Sequence, residues 1–566
     1  MNYVLKFFVR PSLSAILCVS PWFLLLTSCS DFLEREVKGN PDSEDFYNTI
    51  YELQEGLNAV YDVLQSDQYT NCEWIFGEAC GDDVVGTDEN STSQIAELVN
   101  FRFDTSNEWI LKRYQVNYRG INRANQVIAN VGRVQFSSDD TDNYTTVRAI
   151  LGQAKFLRAL FYFNLVKTYG GVSIRPEREE IGQYTIPRSS KEEVYAYIER
   201  DLREAACMLD GKYTANSSGK VGAGACVALL MKVLMYEATP GTASEKWEEM
   251  VALGDYFVGG KTMTYRDILH LENYTETWDE IARRLWFKPQ EKLLTGESYT
   301  TEDTRLPSLA NIYSLEAKST YDGTTLHYRD LYNQIGEFCA RSVFEIVFKE
   351  SANGLSGDSN EGTGIMNDLF WNRLFSSTSF TNAIQNDPRR DVVILLHASS
   401  TFDNQRLEVP AGRRGCMKWY TPKTERPQDD NDNGKNRRVI IYSDVVLKYA
   451  EALNETGRRE EALTQLNAVK AVANKITNVA TLYKAGTYLE MRSQIWTERR
   501  FELCHLWDRY FDLVRQGRAA KVLHALAAEQ VWNRGKNFVE GINEVFPIPQ
   551  NEIDITNGVV KQNPGY

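Results

Sequence analysis

Tyr449-Ala450-Glu451-Ala452-Leu453-Asn454-Glu455-Thr456-Gly457-Arg458-Arg459-Glu460-Glu461-Ala462-Leu463-Thr464-Gln465-Leu466 holds two helical patterns with a stop between them. Apolar residues recur at helical spacing over 440–455, break at Thr456-Gly457, and resume over 458–473, which predicts helix, tight turn, helix. Ala450 is small where two helices must approach, Leu453 packs three residues on, and Ala462, Leu466 and Val469 share one face. One such pair cannot bury its apolar face alone, so further helices must stack beside it.

That spacing is similar to a tetratricopeptide unit, and the stacking partners are expected in the first half of the chain. Phe46, Ile50, Leu53, Leu57, Val60 and Leu64 predict a helix over 43–65. Further helices are predicted over 107–128, 146–169 (stopped by Gly170-Gly171), 190–209 and 222–238, the last closed by Pro240 and Gly241. From about 261 to 424 the pattern breaks into short segments rich in Gly, Ser, Thr and Asn, which predicts long loops with a few short strands and helices. The fold class is therefore all-α, with helix pairs and a loop-rich insertion.

Composition narrows the function. Of 566 residues, 43% are hydrophobic and 25% charged, an ordinary globular balance, and a net charge of −14 argues against a nucleic-acid partner. Five histidines and nine cysteines form no H-E-x-x-H or C-x-x-C motif, so no metal or redox site and no cofactor is predicted. Lys6 and Arg10 precede an apolar run ending Leu26-Thr27-Ser28-Cys29, which resembles a lipoprotein signal peptide over 1–28 with acylation of Cys29 and a tether over 29–40. Acyl chains would hold the protein on a membrane, since no later stretch approaches the apolar length of a spanning helix. Of the other cysteines, Cys72 and Cys80 are spaced to bridge a short loop, and buried free thiols are the competing reading.

Several blocks then recur in one order. They are Gln153-Ala154-Lys155-Phe156-Leu157-Arg158-Ala159 continuing to Lys167-Thr168-Tyr169-Gly170-Gly171, Ile186-Pro187-Arg188-Ser189-Ser190, Tyr449-Ala450-Glu451-Ala452-Leu453-Asn454-Glu455, Glu498-Arg499-Arg500-Phe501-Glu502 with Trp507-Asp508-Arg509-Tyr510-Phe511, Phe546-Pro547-Ile548-Pro549, and Asn563-Pro564-Gly565-Tyr566. Together with the lipobox, the series resembles the RagB/SusD family of nutrient-binding outer-membrane lipoproteins. The resemblance implies a SusD-like helical scaffold with an N-terminal domain over 41–260 and a C-terminal domain over 261–566, loop-rich and ligand-binding to about 435 and helical from about 436. It also implies a SusC-like TonB-dependent transporter as partner and a lipid-anchored place in the outer membrane, facing outward. Cys504-His505-Leu506 and Ser173-Ile174 depart from the family pattern.

Physically the blocks read as architecture. Arg158 lies where a helix seam buries it, so it needs carboxylate or carbonyl partners, and Glu498, Arg499, Arg500 and Glu502 suit ion pairs between helices. Asp387-Pro388-Arg389-Arg390-Asp391 reads as a turn held by ion pairs, and the terminal Asn563-Pro564-Gly565-Tyr566 as a turn fastened to the body. Asp429-Asp430-Asn431-Asp432-Asn433-Gly434 starts like a calcium loop, but Ile440 stands where the bidentate Glu belongs, so calcium is not predicted.

Aromatic residues reach 12%, and sugars are recognised by flat rings combined with amides, carboxylates and guanidinium groups. Trp109, Trp496 and Trp507 sit in helical periodicity and are assigned to packing; Trp247 and Trp532 stay open. Ligand contact is expected at Trp74, at Asp82 and Asp83 just after it, at Trp278, Arg284 and Trp286, and at Tyr332, Trp371 and Asn372 in the loop-rich region. The expected function is non-catalytic binding of oligosaccharides or polysaccharides and their delivery to the transporter. Peptide uptake by the same fold, a secreted glycoside hydrolase and a pure assembly adaptor are the alternatives.

Overall fold

Thr49 opens the first helix: its hydroxyl accepts from the Glu52 amide while the Glu52 carboxylate accepts from the Thr49 amide, a capping box that starts α1 (Ile50–Gln65). In the computed structural model the described residues are 46–566 other than 87–91, 137–139, 179–184, 213–218, 271–274, 277, 287–304, 349–373, 396–398, 403–404, 409–411, 423–424, 426–433 and 530–534. Ser66 caps α2 (Asp67–Trp74), which runs on as a π-helical turn over Ile75–Ala79; α3 (Gln94–Val99) and α4 (Glu108–Asn130, capped by Asn107) follow. Next comes α5 (Thr141–Tyr169), buried throughout from Ile150 to Tyr169 and ended by Gly170 at φ +72°. It starts five residues earlier than the apolar pattern predicts, because the Asp140 side chain caps the Asn143 amide. Ser190 and Glu193 form a second capping box at α6 (Lys191–Met208), then come α7 (Ala223–Glu237) and α8 (Glu245–Phe257).

The loop-rich stretch carries α9 (Tyr265–Leu269), α10 (Trp278–Arg284), α11 (Thr378–Ala383) and α12 (Arg390–Val393). The strands are short. β1 (Val84–Gly86), β3 (Leu374–Ser376), β7 (Gly415–Cys416) and β4 (Ile394–Leu395) form one antiparallel sheet in that order, with Val84 opposite Ser376. β5 (Ser399–Phe402) and β6 (Gln405–Glu408) make a hairpin, and β2 (Ser342–Ile346) pairs with β8 (Arg437–Ile441). β8 holds Ile440 and Ile441, which the sequence pattern assigns to a helix; pairing with Ser342 and Phe344 draws them into a strand, and α13 (Tyr442–Glu455) begins one residue later.

Gly457, at φ +83°, turns α13 into α14 (Arg459–Asn474), the expected helix pair. The pair is not isolated. α13 packs on α8, α7 and α15 (Tyr488–Leu503), and the stack continues through α6 to α5, α4 and α1, so the partners of the pair do lie in the first half. Two crossings admit only glycine: a Cβ on Gly254 would lie 2.0 Å from the Tyr449 ring, and one on Gly120 2.3 Å from the Phe161 ring.

α16 (Arg509–Arg515), α17 (Ala519–Glu529) and α18 (Gln550–Ile555) complete the helices, and Tyr47–Tyr566 is one compact unit. The terminal turn is fastened as expected: Asn563 Nδ2 donates to the carbonyls of Tyr169 (2.9 Å) and Phe546 (2.8 Å), and the Tyr566 hydroxyl donates to Val545 O at 2.8 Å. Cys72, Cys80, Cys207, Cys226, Cys339, Cys416 and Cys504 are all buried free thiols, so Cys72 and Cys80 form no bridge. Among the described residues no helix is long and apolar enough to cross a membrane. Cys29 lies outside them.

Candidate ligand-binding surface

The segment following Trp74 departs most from its sequence reading. Trp74 ends α2 with 2% of its surface exposed, and its indole N–H donates to Asn71 Oδ1 at 3.0 Å. Asp82 and Asp83 are 1% and 0% exposed. The Asp82 carboxylate accepts from Arg509 Nε at 2.7 Å and Arg500 Nη2 at 2.8 Å, and Asp83 from Arg500 Nε at 2.7 Å. Burial alone would raise both acids. Arg509 and Arg500 hold Asp82 well below the usual carboxylate range, while Asp83, with Asp82 as a like-charged neighbour, stays raised. Ser377 Oγ donates to Asp82 O at 2.6 Å and its amide to Asp83 O at 2.8 Å. These residues therefore do not present a ring and hydroxyl acceptors to a ligand. They tie the β1–β3 sheet to α15 and α16.

Tyr332 is corrected on the same ground. It is 6% exposed, with the Lys418 ammonium 4.5 Å from its ring centre. Trp371, Asn372 and Trp532 lie outside the described residues, as does most of the acidic run at 429–434. Trp278 opens α10, and only its backbone is described. Trp507 lies not in a helix, as its periodicity suggests, but in the turn between α15 and α16 at φ +68°; it is nonetheless packed, buried beneath the Arg437 guanidinium 4.2 Å from its ring, and the undecided Trp247 is core.

Arg284 and Trp286 reach a different setting. Arg284, in the last turn of α10, is about one third exposed; its Nη1 donates to Glu204 Oε1 and its Nε to Glu276 Oε1, both at 2.8 Å. Glu276 is equally exposed, so a guanidinium–carboxylate pair reaches the surface here. Trp286, half-buried at φ +55°, lies 6.0 Å from the Phe136 ring and 5.7 Å from the Tyr144 ring; Phe136 and Tyr144 meet edge-on at 4.8 Å. Three half-exposed rings thus converge from the segment after α4, the first turns of α5 and the end of α10. Such a cluster offers apolar ring faces beside planar polar groups, the chemistry that grips a sugar ring. Phe136 and Tyr144 belong to this surface without any sequence signal: both lie well over a hundred residues before Trp286.

The blocks read as architecture behave as architecture. Arg158 clamps Asp201 with Nε to Oδ2 at 2.7 Å and Nη2 to Oδ1 at 2.8 Å, and its Nη1 donates to Asn125 and Glu177. Arg389 holds Asp387 as the turn reading expects, and also Glu498 at 2.8 Å and Glu502 at 2.9 Å. Arg515 donates to Glu451 and Asp512. His505, in the block that departs from the family pattern, sits at φ +60° and is fully buried beside Ser376, its Nε2 3.4 Å from Ser376 Oγ; burial pushes its pKa well down.

A SusD family model matches residues 384–566, and a model described as starch-binding associating with outer membrane matches residues 31–235. SusD-like protein P38 of Formosa agariphila is 22% identical over 513 residues, 88% of this chain and 90% of the relative. SusD-like protein P2 of the same organism is 22% identical over 562 residues, 96% of this chain and 98% of the relative. Among solved structures, a laminarin binding SusD-like protein is similar with a TM-score of 0.66 at 22% identity, over 92% of this chain and 100% of that one. Surface glycan-binding protein A from Bacteroides thetaiotaomicron in complex with laminarihexaose is similar with a TM-score of 0.65 at 19% identity, over 91% and 99%. With family models matched at both ends and relatives of one kind along its whole length, this chain belongs to the SusD-like family.

Proposed function

We propose that the chain is a non-catalytic cell-surface lipoprotein that binds oligosaccharides or polysaccharides and passes them to a SusC-like TonB-dependent transporter in the outer membrane. The observation that carries the carbohydrate part is the whole-length likeness to a laminarin-binding protein and to a surface glycan-binding protein holding laminarihexaose. The half-exposed cluster of Phe136, Tyr144 and Trp286 beside the Arg284–Glu276 pair supplies a surface of suitable chemistry. Clustered carboxylates of the C-terminal half are spent on buried guanidinium groups, Glu498 and Glu502 on Arg389 and Glu451 on Arg515, which supports binding over turnover. Acylation at Cys29, the two-domain division near residue 260, ligand contact at Trp278, Trp371 and Asn372, and the outward-facing lipid anchor belong to the same proposal.

The test is native affinity electrophoresis of residues 30–566 through neutral and acidic polysaccharides, with released reducing sugar measured in parallel. Retardation by one glycan class without product is expected. Product release overturns the non-catalytic part. Absence of retardation by every glycan, together with peptide binding, replaces the ligand class.

A further inference from the structure

Five charged side chains and one imidazole meet where α6, α7, α8 and the end of α9 come together. Glu199 and Arg203 stand one turn apart on α6, Glu237 ends α7, Lys246 and Glu249 lie in the first two turns of α8, and His270 follows α9 at φ +52°. Lys246 Nζ donates to Glu199 and, at 3.3 Å, to Glu237. Arg203 donates to Glu199, to Glu249 and, at 3.0 Å, to Ile268 O, and His270 Nε2 lies 3.3 Å from Glu249 Oε1. The carboxyl groups of Glu199 and Glu237 are also within hydrogen-bond reach of each other. The side chains of Glu199, Arg203, Glu237 and Glu249 are only 8 to 16% exposed, so water does little to screen them.

The permanent charges in this cluster do not match. Three carboxylates face two fixed cations, Arg203 and Lys246. An ionised carboxylate only accepts, so Glu199 and Glu237 cannot share a hydrogen bond unless one of them carries a proton. Glu237 is placed to carry it: it stands at the C-terminal end of α7, where the helix carbonyls oppose a negative charge, whereas Glu199 already has Arg203 and Lys246. Burial, with Glu199 beside it, pushes Glu237 up to about 8 against the pull of Lys246. Burial would raise Glu199 as well, but the bond from Glu237, Arg203 and Lys246 hold it below the usual carboxylate range. The Tyr195 phenol on α6 also faces Glu237, and burial and that acid push its pKa up, so it stays neutral.

We propose that this cluster is a proton-operated latch: one proton held between Glu237 and Glu199 balances its charges and ties α7 and α8 to α6, and release of that proton sets two carboxylates against each other and opens the junction. With the proton in place, Arg203 and Lys246 match the two remaining carboxylates. The far end of the latch holds α9, through Arg203 on Ile268 O and through His270 on Glu249, the latter an ion pair only while the imidazole is protonated. Next to Arg203, Glu204 holds Arg284, so the helix that carries the latch also supports the proposed ligand-binding surface. The latch is closed in neutral solution and opens as pH rises through about 8.

The test is hydrogen exchange of the chain from residue 30, read over residues 234–250 from about pH 6.5 to about pH 9.5 and corrected for the pH dependence of intrinsic exchange. Wild-type protection is expected to fall about tenfold by about pH 9, one unit above the value of Glu237, with a midpoint near about 8. Glu237→Gln, whose amide donates to Glu199 at every pH, is expected to keep its protection throughout, and His270→Gln to retain the wild-type step. A step that survives in Glu237→Gln and disappears in His270→Gln assigns the proton to the imidazole and overturns the proposal. Infrared difference spectra of wild type against Glu237→Gln should show the carbonyl stretch of a protonated carboxyl at about pH 6.5 and its loss by about pH 9.5; absence of that band removes the shared proton. Wild-type protection that stays flat over the whole range overturns the latch whether or not the variants fold.

Discussion

Arg389 has no solvent exposure and faces three carboxylates: Asp387 at 2.7 Å, Glu498 at 2.8 Å and Glu502 at 2.9 Å. A planar fork of five donors can serve such a set; one ammonium cannot. Arg389→Ala should therefore cost about 3–5 kcal/mol, because it strands buried charge, and Arg389→Lys should recover little of it. Denaturant unfolding at pH 7 checks both, and an alanine variant within about 1 kcal/mol of wild type would sink the argument. The turn around Arg389 was readable because Asp387 stands two residues away, whereas Glu502 stands 113 residues away and no local pattern points to it. Asp82 and Asp83 were misread for the same reason. An acidic turn after a tryptophan looks like a ligand rim until Arg500 and Arg509 return from more than 400 residues on to neutralise it. Among the described residues Trp286 meets no such partner, and it keeps part of its surface in water. Trp286→Ala should weaken glycan retardation at least tenfold, with a melting temperature little changed; undiminished retardation would move the proposed binding surface elsewhere.

At the scale of elements, the helices rest on two kinds of information, and only one of them is local. Caps and periodicity are local, and Thr49 with Glu52, Ser190 with Glu193 and Gly457 mark boundaries that the chain itself announces. Strand pairing is not local: Ile440 and Ile441 continue a helical pattern in sequence and become β8 only because Ser342 and Phe344 lie alongside. Close helix crossings combine both kinds, since a glycine is visible in sequence while its reason is across the interface. Gly254 on α8 leaves room for the Tyr449 ring on α13, where a Cβ would lie 2.0 Å from the ring, and this contact joins the first-half stack to the C-terminal helix pair. Gly254→Ala should force the two helices apart and cost about 1–3 kcal/mol despite the better helix propensity of alanine. A lowered denaturation midpoint at an unchanged m-value is the expected result, and a stabilised variant would show that the crossing yields freely.

Across the whole molecule, buried ion pairs join segments far apart in sequence, and this sets both cooperativity and pH response. Glu73 on α2 is shared by Arg113 on α4 and Arg437 on β8, at 2.9 and 3.2 Å, and Asp508 takes Lys232 of α7 at 2.7 Å. Burial would raise Glu73 and Glu502, but Arg113 in the first case and Arg341 with Arg389 in the second pull each down to about 2; Asp387 is likewise held at about 2. In the unfolded chain such groups titrate near about 4. Their stabilisation is therefore complete above about pH 4 and is lost as pH falls toward about 2. Glu337 and Glu237 act with the opposite sign. Burial, aided at Glu237 by Glu199, raises them to about 7 and about 8, so what they contribute is complete below about pH 4 and is lost as pH rises through those values. Calorimetry of residues 30–566 should accordingly give its highest melting temperature near about pH 4 to 5, a steep fall on the acid side and a shallower one as pH rises from there toward about 8. One transition is expected at each pH, because buried pairs such as Glu73–Arg437, Asp508–Lys232 and Asp82–Arg509 join the first half of the chain to the second. Two separable transitions, or a melting temperature flat between about pH 5 and 2.5, would mean that the pairs do not hold the halves together.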